Sequence, residues 1–238
     1  MGILGIPRLG SDFVGDKKDW VQVLKKLPSL FFGLFLYSVG MGVVLYANLG
    51  TSPWETFSLG IINYIPLTFG EASQVIGLFV LIASLFIGVI PGLGSIINMY
   101  FIGFFFDMVD NMGLFRTPSS LVGKLLSLLV GIFILGWGTY FYLRVELGAG
   151  PRDGLMEGLV KKFKKPVWLI RGVIEITVLT IGYFLGAPVG IGTLITAFTV
   201  GFSVQLAFKI GKYDSRTVEH ENVVLMFRRL RNKKEEVV

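Results

Sequence analysis

Leu49-Gly50-Thr51-Ser52-Pro53-Trp54-Glu55 and Leu147-Gly148-Ala149-Gly150-Pro151-Arg152-Asp153 stand 98 residues apart and follow one plan. A Leu-Gly pair leads to two small residues, a proline and, two positions on, an acid. The register holds on both sides. Upstream, Gly33 matches Gly131, Phe35 matches Phe133 and Gly40 matches Gly138. Downstream, Gly60 matches Gly158, Gly88 matches Gly186, and Gly92-Leu93-Gly94-Ser95 matches Gly190-Ile191-Gly192-Thr193. Between Gly33–Phe104 and Gly131–Phe202, 19 of 72 aligned positions are identical without a gap. Apolar segments often coincide by chance, but not with their glycines and prolines in step over that distance. The sequence is an internal duplication.

A membrane helix needs about 20 mostly apolar residues at roughly 1.5 Å rise each. Six segments qualify: Leu30–Ala47, Ala72–Ile90, Gly94–Met112, Leu121–Leu143, Val167–Leu185 and Gly190–Ile210. Each copy holds three, an odd number, so the second copy is expected upside down relative to the first. Charge gives an independent indication. The loop from Asn48 to Gly70 has no Lys or Arg, while its counterpart carries Arg152, Lys161, Lys162, Lys164 and Lys165. Basic loops collect on the cytoplasmic side. An even number of crossings puts that loop and both basic termini in the cytoplasm together. The expected fold is therefore an all-α membrane protein, with six transmembrane helices as two inverted-topology three-helix repeats. Residues 1–29 form a basic N-terminal segment, cytoplasmic or on the bilayer surface, with Trp20, Val21 and Leu24 at helical spacing among lysines. The repeats occupy residues 30–115 and 116–211, and residues 212–238 form a basic cytoplasmic tail.

Composition agrees and excludes several kinds of function. Of 238 residues, 53% are hydrophobic and 16% charged, against about 25% charged in a soluble domain; the mean hydropathy is +0.71. Between Lys26 and Arg116, 89 residues pass without a Lys or Arg. There is no Cys, so no disulfide, thiolate nucleophile or Cys-ligated metal exists. The one histidine, His220, lies in the polar tail, which excludes a His-based triad or haem ligand within the membrane. No metal site, cofactor or catalytic residue is expected. The pI near 9.5 comes from basic residues flanking apolar segments, the positive-inside pattern rather than a nucleic-acid footprint. The opening MGILGI has the Gly2 of a myristoylation signal but Ile6 where Ser or Thr is required.

The paired loops read as helix starts. Ser52, Pro53 and Glu55 sit at N-cap, N1 and N3, a capping box, and Gly150, Pro151 and Asp153 repeat the design. The apolar face that follows lasts about 12 residues, or about 18 Å, too short to cross a 30 Å core. Each short helix is therefore re-entrant or interfacial. Either its N-terminus faces a cavity between the repeats, as half-helices do in transporters, or Glu55 and Asp153 merely complement the dipole. Gly50 and Gly148 lead into these helices. The turns Gly92–Gly94 and Gly190–Gly192 are either packing devices or exposed backbone on a polar path, with Asn98 and Thr196 one turn beyond.

Ionisable residues within the membrane are functional candidates because burying them is costly. Arg171 and Glu175 lie at i, i+4 on the fifth span, where they form either a structural pair or a substrate or proton site. Ser73 and Gly77 hold those positions in the first copy. Asp107, opposite Gln205, sits near a span end. Arg171, Glu175, Asn98, Asp107, Ser52, Glu55, Arg152 and Asp153 are the candidate path residues.

At Ala47-Asn48-Leu49-Gly50-Thr51-Ser52-Pro53-Trp54, at Leu147 to Met156 (LGAGPRDGLM), at Arg171…Glu175 and at Gly190-Ile191-Gly192-Thr193, the chain resembles the YczE/YyaS/YitT-like group of bacterial multi-pass membrane proteins. The resemblance covers roughly residues 30–210 and implies a bacterial inner-membrane protein. It supplies location and no mechanism. The functional expectation from the residues is a transporter- or channel-like carrier of a small solute or ion through the interface of the repeats. The alternative is an accessory or scaffold protein that binds a protein partner or a second copy. The lipid bilayer is the expected surrounding, and nucleic acid is not an expected partner.

Overall fold

A computed structural model describes residues 18–213. Residues 1–17 and 214–238, including most of the basic tail and His220, lie outside the described part. Eight helices follow one another among the described residues: α1 (Lys18–Tyr46), α2 (Pro53–Ile62), α3 (Phe69–Phe86), α4 (Leu93–Asn111), α5 (Leu121–Leu143), α6 (Pro151–Phe163), α7 (Val167–Phe184) and α8 (Ile191–Ile210). Six of these, all but α2 and α6, are long and apolar enough to cross a membrane. Phe86, Phe184, Phe198 and Phe202 stand on their outer faces, exposed in the isolated chain, as a hydrocarbon surround allows.

Residues 98 apart play the same parts. Asn48 and Glu146 both adopt φ values in the left-handed region, at 52° and 61°, and each ends a long helix. Gly50 and Gly148 follow at φ 103° and 127°, conformations that glycine alone takes without strain. These turns then exchange hydrogen bonds across the molecule. The N–H of Gly192 donates to Leu49 O at 2.7 Å, and the N–H of Gly94 donates to Leu147 O at 2.7 Å. Each loop is thus held by the turn of the other copy.

The glycine register explains the closest helix pair. A side chain at Gly33 would strike the backbone of Phe141 and Tyr142, and one at Gly138 the backbone of Tyr37. Gly40 meets Leu135 and Gly131, and Gly131 meets Val44 and Gly40. Small residues let backbones approach this closely, the usual basis of helix association in lipid. Rising numbers on α1 meet falling numbers on α5, so the two run in opposite directions. Around this seam Met41, Val44, Phe106, Leu128, Ile132 and Leu135 form the main core. On its flanks α1 packs on α4, with Ser38 Oγ donating to Ile102 O at 2.8 Å, and α5 packs on α8, with Ser203 Oγ donating to Ile132 O at 2.9 Å.

The short helices pack on the opposite copy: α2 on α7, where Gly60 meets Gly182 and Leu185, and α6 on α3, where Gly158 meets Ile87 and Val89. In α2 six of ten residues are buried, Glu55, Thr56 and Ser58 among them.

Two sequence expectations change. The Ser52–Glu55 capping box does not form: Ser52 caps α2 with its backbone alone, because the Glu55 carboxylate is drawn to Arg152 instead. The second span starts at Phe69 rather than Ala72, since Thr68 and Glu71 make a true capping box. From Lys18 onward, the basic segment continues directly into α1. Val23 packs into one cluster with Leu30, Leu34 and Tyr142, which draws that turn along the bundle.

Candidate functional site

The first turns of α2 and α6 meet. Arg152, at the second position of α6, places its guanidinium carbon 4.9 Å from the centre of the Trp54 ring. Trp54 is the second residue of α2, so the two contacting residues are repeat counterparts. Arg152 Nη1 also lies 3.5 Å from Glu55 Oε1. Glu55 is 6% exposed and Trp54 8%. A cation over a desolvated indole contributes up to about 2 kcal/mol, and removing Arg152 would leave the charge of the buried Glu55 uncompensated. Two helix N-termini brought together set like partial charges against each other. Glu55 and Asp153, both at N3, offset them.

Around this contact lie further polar groups. Tyr37, on α1, is within electrostatic range of Arg152, Glu55, Asp153 and Arg171. Tyr142, on α5, is within range of Asp153 and Arg152. Arg171 Nε donates to Glu175 Oε1 at 2.8 Å and is within electrostatic range of Asp153. Asn98, buried on α4, faces Gly150 at the start of α6. The arrangement combines two arginines, three acids, an amide and aromatic rings at the seam between the copies.

Of the candidate residues, Glu55, Arg152, Asp153, Asn98, Arg171 and Glu175 thus belong to one region. Asp107 does not: its carboxylate accepts from Gly70 N at 2.9 Å and from the Thr68 hydroxyl, holding the start of α3 to α4. Ser52 contributes its carbonyl, which accepts from Thr56 N at 2.9 Å. Gly92 and Gly190 donate their N–H groups to Ser95 Oγ at 3.2 Å and Thr193 Oγ1 at 3.3 Å. With Gly94 and Gly192, they serve the loop exchange described above. Pro53 and Pro151 start α2 and α6 at N1. Trp54, Tyr37, Tyr142 and Gly150 belong to the region, and sequence reasoning had not placed them in a path. For Trp54 a signal existed: about a twofold relation, counterparts such as Trp54 and Arg152 are the residues that meet.

A model of a family of unknown function, DUF6198, matches residues 24–209. The chain belongs to the DUF6198 family. The DUF6198 chain is similar to a Haemophilus influenzae protein described as uncharacterized, 32% identical over 191 residues, covering 80% of this chain and 87% of that one. It is 33% identical over 181 residues to the uncharacterized membrane protein YczE of Bacillus subtilis, covering 74% and 82%. To the uncharacterized protein YyaS of the same organism it is 26% identical over 183 residues, covering 75% and 90%. The resemblance drawn from the paired loops is thereby established for YczE and YyaS. No solved structure matches the chain. Six apolar helices and a membrane-protein relative make this DUF6198 chain a multi-pass membrane protein.

Proposed function

We propose that this protein is a carrier of a small solute or ion in a bacterial inner membrane, and not an enzyme. It is built from two three-helix repeats of opposite orientation, with both termini in the cytoplasm. The observation that carries the proposal is the meeting of α2 and α6 through Trp54, Glu55 and Arg152: a charged, nearly buried contact between counterpart residues at the seam of the copies. At 10 and 13 residues, these helices span about 15 and 20 Å; they enter the bilayer and turn back, N-termini inward. Helix starts aimed at a polar midplane site are the common design of carriers made from inverted repeats. The opposed directions of α1 and α5 and the reciprocal loop bonds support the inversion, as does the contrast between the uncharged 48–70 loop and the basic 152–165 loop.

A second reading, an accessory protein that holds a partner, draws on the exposed Lys161, Lys162, Lys164 and Lys165 at the end of α6. Electrometry on proteoliposomes separates the two. Salts, amino acids, amines and sugars are applied in turn; at least one class gives a current, which falls at least tenfold in Glu55→Gln. No current from any class, with Glu55→Gln folded and unchanged, contradicts the carrier.

A further inference from the structure

In the first copy α3 and α4 close on each other. A side chain at Gly70 would strike the Gly103 carbonyl and Asp107, and one at Gly103 would strike Gly70 and Gln74. These positions mark the faces that the two helices turn to each other. Their counterparts in the second copy are Trp168, Gly201, Gln205 and Gly172. There the faces do not meet. Nothing lies within 4 Å of a side chain built at Gly172 or at Gly201, and Trp168 is 74% exposed. Because α7 lies on α2 and α8 lies on α5 instead, a gap separates two helices whose counterparts touch.

Both helices span the membrane and a short turn joins the end of α7 to the start of α8. The start of α7 and the end of α8 therefore reach the same side of the bilayer, and that end of the gap is basic. Lys164 and Lys165 lead into α7, Lys209 lies in the last turn of α8 and Lys212 follows it. All four are exposed, and none forms an ion pair among the described residues. Beside the closed pair their places are held by Pro66, Leu67, Asn111 and Leu114. Gln205 lies about 7.5 Å inside the end of α8; it is exposed, and its side chain makes no hydrogen bond among the described residues. Facing hydrocarbon alone, that amide would be left unsatisfied at a cost. Further in, Phe198 and Phe202 are exposed. The gap is thus cationic at its mouth, hydrogen-bonding below that and apolar beyond. A phosphate, glycerol esters and an acyl chain follow one another in the same order.

We propose that the gap between α7 and α8 binds an anionic phospholipid of the surrounding bilayer. Its phosphate lies among Lys164, Lys165, Lys209 and Lys212, its esters meet Gln205, and its acyl chain lies along Gly172 and Gly201. Lysines near a bilayer surface favour lipids with a net negative charge, and the open glycines give the chain of that lipid a place between the helices. The site depends neither on transport nor on which leaflet the basic end faces.

Trp168, at the mouth of the gap, reports on it directly. The full chain is reconstituted in phosphatidylcholine vesicles containing either phosphatidylglycerol or phosphatidylcholine brominated in the acyl chain near the head group. Each background is measured with and without Trp168→Phe, and the difference is the quenching of Trp168. Brominated phosphatidylglycerol is expected to show at least about fivefold the relative affinity of brominated phosphatidylcholine. Lys164→Gln, Lys165→Gln, Lys209→Gln and Lys212→Gln together bring that ratio to near one. Lys25→Gln with Lys26→Gln, on α1 and away from the gap, leaves it unchanged. Gly172→Leu with Gly201→Leu fills open space, keeps every lysine and removes the preference, and either substitution alone weakens it. Equal quenching by the two lipids overturns the site, as does a preference that survives the four lysine substitutions or is lost in the α1 variant. A preference that survives both glycine substitutions marks attraction to a basic surface alone and also overturns it. So does a preference abolished by inorganic phosphate but not by chloride of equal ionic strength, the mark of a free-anion site. A lipid preference without any current in proteoliposomes leaves the lipid site standing and contradicts the carrier, and current without a preference does the reverse.

Discussion

Gly103 and Gly201 occupy the same place in the two copies, yet their surroundings differ. A side chain at Gly103 would collide with the Gly70 carbonyl and with Gln74, while at Gly201 nothing lies within 4 Å. In the first copy α3 lies along α4, and in the second α7 stands away from α8. The residues explain why. Thr68 and Gly70 are tied to Asp107, and Gln74 Nε2 donates to Tyr100 O at 2.9 Å. Their counterparts are Pro166, Trp168, Gln205 and Gly172. Proline has no hydroxyl, Gly172 has no side-chain amide, and an indole replaces the glycine that lets the backbones touch. One copy is clasped and the other open, around a seam that both share.

The largest effect should come from forcing the clasp apart. Gly103→Leu introduces a side chain into a backbone contact, with an expected loss of about 2–4 kcal/mol or outright misassembly. Gly201→Leu should change the unfolding midpoint by little. Comparable losses at both positions would erase the distinction between the copies. Next is Asp107→Ala, which strips two hydrogen bonds from the start of α3. About 1–3 kcal/mol is expected, against less than about 0.5 kcal/mol for Gln205→Ala, an exposed residue whose side chain makes no hydrogen bond among the described residues. Thermal unfolding of the four variants side by side checks both pairs.

A smaller effect is expected at the shared seam. Arg152→Lys keeps the charge but loses the planar stack on Trp54, and about 1 kcal/mol of stability should go with it. Trp54→Leu should cost no less. A double variant no worse than either single one would show that the two residues act through each other.

Much of this was legible in the sequence. The six spans followed from length and apolarity, and the register of 98 predicted the equivalence of Gly50 with Gly148 and of the two glycine turns. It also held, unread, the meeting of Trp54 with Arg152. What escaped was decided by partners distant in sequence. Ser52 and Glu55 have the spacing of a capping box, but a half-buried arginine 97 residues away holds the Glu55 carboxylate. Thr68-Phe69-Gly70-Glu71 has the same spacing and does form the box, because no cation among the described residues pairs with the exposed Glu71. Local pattern alone could not rank the two. Nor could it tell that Asp107 serves the clasp rather than the seam, since that depends on the crossing of α3 and α4.

The opposed orientation of the copies is tested most directly at one pair of counterparts. Tyr64 follows α2 and Lys162 lies in the last turn of α6, both exposed and 98 residues apart. The chain has no cysteine of its own, so Tyr64→Cys and Lys162→Cys each provide a single thiol. In intact cells, a membrane-impermeant maleimide should label the cysteine at 64 and leave the one at 162 unreacted until the membrane is opened. Labelling of both from the same side would contradict the inverted arrangement and, with it, the carrier built upon it.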